Sequence, residues 1–101
     1  MTDKFIEEYK MFLNWGLDSQ VRMCIEEMSE LTKALCKYMR FNKENAPDEV
    51  KENIKEEIAD VLNTVEQMQL IFGEKEIEKI RQEKIERTKT KIKKLRETKN
   101  D

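Results

Sequence analysis

Two acidic segments with the same pattern contain the residues of this chain that are best suited to chemistry. The first runs from Ile25 to Leu31 (IEEMSEL), and the second, thirty residues later, from Lys55 to Val61 (KEEIADV). Like charges one helical turn apart repel each other unless something neutralises them. Hard divalent cations take oxygen ligands, so the repeated pattern predicts a carboxylate site for Mg²⁺, with Mn²⁺ as a substitute.

The position of each acid around its helix supports one shared site. At about 100° per residue, and with Met28 and Ile58 as the centres of two apolar stripes, each helix places one acid about 100° and another about 160° from that centre. A short loop between the helices favours antiparallel packing, which brings equivalent edges together. Four carboxylates are therefore predicted to converge: Glu27, Glu30, Glu57 and Asp60. The alternative is a solvated acidic face, in a chain with 42% charged residues.

Composition predicts an all-α fold that is completed by self-association. The 101 residues are 38% hydrophobic and 42% charged, and they include only two glycines and one proline. A chain of this length forms one domain, and its small core favours an oligomer. We therefore expect a single domain over residues 1–101, built as a four-helix bundle-like protomer and completed by homo-oligomerisation.

The helix boundaries follow from apolar spacing and from Gly and Pro positions. We predict a first helix from Thr2 or Asp3 to about Asn14 and a second from Ser19 to Phe41, capped by Asp18 or Ser19. The third follows Pro47, runs to about Phe72 and stops at Gly73. The last covers Glu74 to about Lys99, with fraying expected from about residue 93.

The residues that are missing exclude several chemistries. The chain has no histidine, which removes catalytic triads, most zinc sites and the Glu-x-x-His element of di-iron bundles. It has no glycine-rich phosphate loop. Cys24 and Cys36 would lie ~18 Å apart on one straight helix, too far to bridge. We expect both to be reduced in a cytoplasmic protein that has no targeting segment and no membrane span.

The acidic double motif resembles the signature of the MazG-like all-α nucleoside triphosphate pyrophosphohydrolases. The residues that carry this resemblance are Glu26-Glu27-x-x-Glu30 and Glu57-x-x-Asp60. Trp15-Gly16, Gln20 and Glu30-Leu31 are similar to the lead-in of the family, and Lys84 to Arg87 to its C-terminal basic element. The resemblance extends from about Trp15 to Lys91. Family members often place an arginine after the basic element, where this chain has Thr90-Lys91.

The resemblance implies a fold, a reaction and a set of ligands. The fold is an all-α bundle that forms a dimer or a dimer of dimers. The reaction hydrolyses a nucleoside triphosphate, often a deoxy or non-standard one, to the monophosphate and pyrophosphate, and it cleanses or controls nucleotide pools. The Mg²⁺ ligands that it implies are the four carboxylates Glu27, Glu30, Glu57 and Asp60.

Other residues receive roles from the same scheme. Glu30 is favoured over Glu26 for orienting the attacking water, with Glu27 beside it as the second catalytic carboxylate. Lys84 and Arg87 would bind the triphosphate, although a solvated basic face is an equal alternative. Four further candidates would line the pocket or contact the base, with packing as the alternative for the tryptophan and the methionine. The pocket candidates are Trp15, Met23, Asn53 and Thr64.

Three other functions compete with this interpretation. A non-catalytic helical interaction module would use the weakly apolar last helix to dock onto a partner. A nucleic-acid binder would use the basic stretch 79–99, but glutamates interrupt it up to Glu86 and it contains no aromatic residue. Phosphoribosyl-ATP hydrolysis is a third possibility on the same helical fold. We expect a nucleotide substrate and a homo-oligomer, and neither a membrane nor a nucleic acid as partner.

Overall fold

The computed structural model describes residues 16–42 and 44–100, together with Asp3, Ile6, Glu7 and Lys10. The four isolated residues are helical, but the rest of the predicted first helix lies outside the described residues. The described residues form three long helices and no β-strand: α1 (Leu17–Tyr38), α2 (Asp48–Phe72) and α3 (Glu74–Asn100). The all-α prediction is therefore confirmed. None of the three helices combines the length and apolarity needed to cross a bilayer.

The chain divides into two compact units. The first, Met1–Leu70, contains α1 and most of α2, and the second, Ile71–Asp101, contains the last residues of α2 and all of α3. The single domain, the four-helix bundle and the oligomer stay predictions.

Helix α1 begins earlier than its expected cap. It starts at Leu17, after Gly16, and no side chain caps its first turn. Asp18, expected as a cap, instead lies in the first turn, where its negative charge is favourable next to the helix dipole. The other cap candidate, Ser19, is helical as well.

Helix α1 also ends earlier than expected, at Tyr38 instead of Phe41. The backbone tightens here, because the N–H of Arg40 donates to the carbonyl of Lys37 (3.2 Å) and that of Phe41 to Tyr38 (3.1 Å). These bonds span three residues instead of four, as they often do where a helix ends. The connection to α2 then occupies residues 39–47.

Helix α2 agrees with its prediction at both ends. The carbonyl of Pro47 accepts the N–H of Val50 at 3.0 Å, which closes the first turn. Gly73 has a φ of 113°, in the left-handed region that favours glycine, and it ends the helix after Phe72. The carbonyl of Gly73 also accepts the N–H of Ile77 at 3.0 Å, so one glycine ends α2 and leads into α3.

Helices α1 and α2 pack against each other through positions that recur every three or four residues. On α1 the buried or half-buried positions include Gln20, Cys24, Glu27, Leu31, Ala34 and Tyr38. On α2 they include Val50, Ile54, Glu57, Val61 and Thr64. Glu27 of α1 and Glu57 of α2 meet, and residues 39–47 connect the two helices, from which we infer that the helices run antiparallel. We call this line of contact the seam. Several of its residues are small or polar.

The expected centres of the apolar stripes are not where the helices pack. Met28 is 45% exposed and Ile58 is 41% exposed, and both lie about 100° around their helices from Glu27 and Glu57. Because the helices are antiparallel, the residues about 100° beyond Glu27 on α1 and those about 100° beyond Glu57 on α2 lie on the same side of the helix pair. We call this the apolar side. Its large exposed residues are Ile25, Met28, Leu35, Met39, Ile58, Leu62 and Val65.

Candidate metal centre

Three carboxylates from two helices meet at the edge of the seam. Glu27 of α1 and Glu57 and Asp60 of α2 each place one carboxylate oxygen within 4.8 Å of the other two. Glu27 and Glu57 are half-buried and Asp60 is exposed. The cluster is therefore anchored between the helices and open to solvent through Asp60. The structure brings together three of the four carboxylates that were predicted to converge.

The heptad spacing of the seam explains how these side chains meet. Glu27 and Glu57 occupy seam positions, so antiparallel packing sets them against each other. Asp60 lies about 60° around α2 from Glu57, on the side away from the apolar side. Cys24 and Ala34 are buried seam residues of α1 with small side chains, three residues before and seven residues after Glu27.

Glu30 lies outside the three-oxygen cluster. Its exposed carboxylate pairs with Lys33 at 3.6 Å, one turn along α1. An exposed pair of this kind contributes little to stability and leaves the carboxylate available. Glu30 is nevertheless close enough for its charge to act on Glu57. Its assignment as a direct metal ligand stays a prediction.

The electrostatics of the cluster favour a cation. Partial burial raises the pKa of Glu57 above its ordinary value, and the nearby charges of Asp60, Glu27, Glu30 and Glu56 raise it further, in that order. Within residues 16–42 and 44–100, no lysine or arginine nitrogen lies within 4.0 Å of the three clustered carboxylates. Their mutual repulsion is therefore not relieved by an ion pair in the described part of the chain.

The donor set fits a hard divalent ion. Ligands of octahedral Mg²⁺ at 2.0–2.1 Å are about 2.9 Å apart where they are neighbours and about 4.2 Å apart where they are opposite, so three oxygens within 4.8 Å of one another would have to close by up to about 2 Å. The side chains can make this movement because Asp60 is exposed and only partial burial holds the other two. Water or phosphate oxygens would complete the coordination on the open side, as is usual for Mg²⁺.

Two of the predicted pocket residues lie near the acids, and a third does not face an open site. Asn53 and Met23 are exposed, and each lies about one turn before a clustered glutamate on the side that carries Asp60. Thr64 is buried, and its hydroxyl donates to the carbonyl of Val61 at 2.9 Å. The hydroxyl proton of Thr64 is therefore already used in a hydrogen bond within α2.

The predicted phosphate-binding residues belong to the second unit. Lys84 and Arg87 are exposed on α3. Lys84 lines a groove of about 500 Å³ along this helix, together with Ile77, Ile80, Arg81, Ile85, Thr88 and Lys89. Trp15, the predicted base-stacking residue, lies outside the described residues. Cys24 is buried and Cys36 is exposed, and both are free thiols.

Sequence reasoning missed two buried amides. Gln20 is 6% exposed and Gln67 is 8% exposed, and the side-chain oxygen of each is buried without a hydrogen-bond partner among the described residues. Gln20 precedes Glu27 by seven residues and Gln67 follows Asp60 by seven, so each lies about two turns from the cluster on its own helix. The one sequence feature that could have pointed to these glutamines is their seven-residue spacing from Glu27 and Asp60, which places each on the same face of its helix as a clustered acid.

Comparisons of the chain with protein-family models, with curated proteins and with solved structures find no match. The resemblance to the MazG-like enzymes therefore depends on the motif residues alone.

Proposed function

We propose that the protein is a Mg²⁺-dependent nucleoside triphosphate pyrophosphohydrolase of the MazG-like kind. It would cleave (d)NTPs to monophosphate and pyrophosphate and so cleanse or control nucleotide pools. The observation that carries this proposal is the convergence of Glu27, Glu57 and Asp60 from two helices, with carboxylate oxygens within 4.8 Å of one another.

The three clustered carboxylates would hold the cation, with Mn²⁺ as a substitute for Mg²⁺. The bound ion supplies charge neutralisation at the phosphate oxygens as the phosphoanhydride bond breaks. Glu30 lies outside the cluster but close enough to act on Glu57, which suits it to orient the attacking water. Glu27, the clustered acid of α1, would serve as a ligand. It would also be the second catalytic carboxylate beside Glu30.

Substrate binding would use residues beyond the cluster. Lys84 and Arg87 would contact the triphosphate through charge-assisted hydrogen bonds. Asn53 would contact the nucleotide from the acid-bearing side of α2, and Trp15 would stack on the base.

We also propose that the protomer self-associates through its apolar side, as a dimer or a dimer of dimers. Monomeric soluble proteins rarely leave a large contiguous apolar patch in water. Here Met28, Leu62 and their neighbours on both helices remain exposed on one side of the pair. A second copy with the same side would cover them and complete a four-helix arrangement.

Product analysis tests the reaction. Purified protein is incubated with a panel of dNTPs and NTPs and with phosphoribosyl-ATP, with Mg²⁺ or with EDTA, and the products are separated by chromatography. The expected products are monophosphate and pyrophosphate, lost in EDTA and in Glu57→Gln. Glu56→Gln is the matched control, because it removes the same charge from the neighbouring exposed position and should keep activity.

Two results would contradict the proposal. Diphosphate with orthophosphate would mean attack at a different phosphorus. No turnover of any triphosphate would favour a non-catalytic helical interaction module that docks through α3, the second candidate, which the exposed Ile80, Ile92 and Leu95 support. Such a module would bind Mg²⁺ poorly, and Glu57→Gln would only relieve charge repulsion. Turnover of phosphoribosyl-ATP alone would keep the chemistry and reassign the substrate.

A further inference from the structure

The last thirteen residues before Asn100 form a strongly basic helix segment. Residues 87–99 contain seven lysines and arginines and a single acid, Glu97. All thirteen are exposed. In the described part of the chain, one ion pair involves this segment, between Lys89 and Glu86 at 3.2 Å. Most of its positive charge is therefore available to an external anionic partner.

The segment also has an apolar strip that faces water. Ile92 is 47% exposed and Leu95 is 66% exposed, and at about 100° per residue they lie on one face with Ile85 and Thr88. Lys99 closes this strip one turn beyond Leu95. An apolar strip in solvent costs free energy unless something covers it.

The charges are ordered around this strip. Relative to its centre, Lys84 and Lys91 lie about 60–80° to one side, and Lys89 and Arg96 lie about 60–80° to the other. The two acids of the region occupy the opposite pole, at about 140–160° from the strip. These acids are Glu86 and Glu97. The strip is thus flanked by cations on both sides, with the acids turned away from it.

We propose that residues 84–99 of α3 bind the surface of membranes that contain anionic lipids. The helix would lie in the plane of the interface, with Ile85, Ile92 and Leu95 at the boundary between headgroups and acyl chains. The flanking lysines and arginines would reach the lipid phosphates along their aliphatic stems. Clusters of four to eight basic residues on an amphipathic helix are typical of this type of binding.

Other anionic partners fit the arrangement less well. A polynucleotide has no use for the apolar strip, and α3 contains no aromatic residue to stack on bases. An acidic partner helix would reach only the flanking cations, and it would leave Arg87, Lys93 and Lys94 without a partner. A charged surface acts on all seven cations, because they lie within about one Debye length of it.

This inference does not depend on the proposed enzymatic activity. It uses none of the clustered carboxylates and needs no divalent ion. It shares Lys84 and Arg87 with the proposed triphosphate site, and the variants that test it leave both residues unchanged. It departs from the expectation that no membrane is a partner, because a helix that lies on a membrane surface needs no spanning segment.

Co-sedimentation with vesicles tests the proposal on the full chain. The probes are vesicles of phosphatidylcholine alone and of phosphatidylcholine mixed with phosphatidylserine, at low and at high salt with EDTA present. Binding is expected only to the anionic vesicles, and it should weaken as salt rises. Equal binding to both vesicles, or none to the anionic ones at low salt, would overturn the proposal.

One double variant and its matched control identify the cationic surface. Lys91→Gln/Arg96→Gln should lower the partition coefficient at least about tenfold, at roughly fivefold for each cation. Lys37→Gln/Lys51→Gln makes the same change in net charge at exposed sites of α1 and α2, and it should have little effect. An equal loss in both variants would show a net-charge effect and contradict the assignment.

The apolar strip is tested separately. Ile92→Ser/Leu95→Ser keeps every charge and should also weaken binding to anionic vesicles, with circular dichroism confirming that the helices are retained. Unchanged binding would contradict a helix that lies in the interface. Binding of a DNA duplex through Lys91 and Arg96, with none to vesicles, would assign the segment to polynucleotides and overturn the proposal.

Discussion

The two sides of the α1–α2 pair differ in the groups that they present to solvent. The acid-bearing side presents Glu27, Glu57 and Asp60 with oxygens within 4.8 Å of one another. The apolar side presents Met28, Ile58 and their neighbours to water. Between them is a seam in which polar and small residues are the most buried. The pair thus buries part of its polar surface and exposes much of its apolar surface.

This difference indicates that each side requires a different partner. Repulsion among carboxylates is relieved by a cation, and exposed apolar area is relieved by burial against another apolar surface. The two partners are therefore expected to bind independently, because the acid-bearing side and the apolar side lie on opposite faces of the helix pair.

The largest expected effect concerns the exposed acid of the cluster. Asp60→Asn should lower Mg²⁺-dependent triphosphate turnover at least about a hundredfold, because it removes a ligand. Asp60 has little packing role, so the free energy of unfolding should not fall. Asp48→Asn removes the same charge from the first turn of α2 and should leave turnover near that of the parent. Equal activity in both variants would show that Asp60 is only a solvated carboxylate.

On the apolar side, a charge should prevent self-association. Ile58→Asp places a carboxylate in the centre of the exposed patch, and burying it in both copies should raise the dimer dissociation constant at least about a hundredfold. Sedimentation velocity measures the change. Ala59→Asp adds the same charge at the next, exposed position and should associate like the parent. A parent protein that is monomeric at high concentration would contradict this use of the apolar side.

The buried amide of Gln67 offers a smaller test. Gln67→Met removes an oxygen that is buried without a partner among the described residues, so it should stabilise the protein by about 1 kcal/mol and raise Tm by about 4 °C or more. Thermal unfolding followed by circular dichroism measures this. Gln69→Met makes the same chemical change at a half-buried neighbour whose oxygen has no such defect, and it should change Tm less. A lower Tm in Gln67→Met would show that the amide has a favourable role.

The smallest effect is the pH dependence of the metal-free protein. The folded-state pKa of Glu57 is raised, above all by partial burial and then by Asp60. The folded protein therefore holds this proton more tightly than the unfolded chain, so stability falls as pH rises from the ordinary pKa near 4.5 through the raised value. In EDTA, Glu57→Gln should melt above the parent at pH 7, and the two should converge at acidic pH. A lower Tm for the variant at pH 7 would contradict the charge repulsion.

Local features of the sequence predicted the bounds of α2 well. Pro47 and Gly73 delimit α2 as expected, because their backbone preferences act at single positions. The convergence of acids was also predictable, since Glu27, Glu57 and Asp60 repeat in phase with the helical period. The fourth acid, Glu30, could not be placed as reliably, because side-chain direction decides which carboxylates meet.

The choice of packing face was not predictable from apolar periodicity. The stripe on α1 is broad, and it includes both the buried Cys24 and the exposed Met28. Periodicity marks the whole stripe but does not show which edge of it contacts the other helix. Ala34 is buried while its neighbour Leu35 is exposed, and this choice depends on the packing of both helices together. For the same reason the burial of Gln20 and Gln67 was missed.

Metal binding tests the central claim most directly, because it requires no substrate. Mn²⁺ is titrated into the metal-free protein, free ion is followed by electron paramagnetic resonance, and Mg²⁺ is added as competitor. We predict saturable binding that Mg²⁺ displaces, weakened at least about tenfold in Glu57→Gln and little changed in Glu56→Gln. Binding that does not saturate, or that is equal in the two variants, would show that the clustered carboxylates are not a metal site.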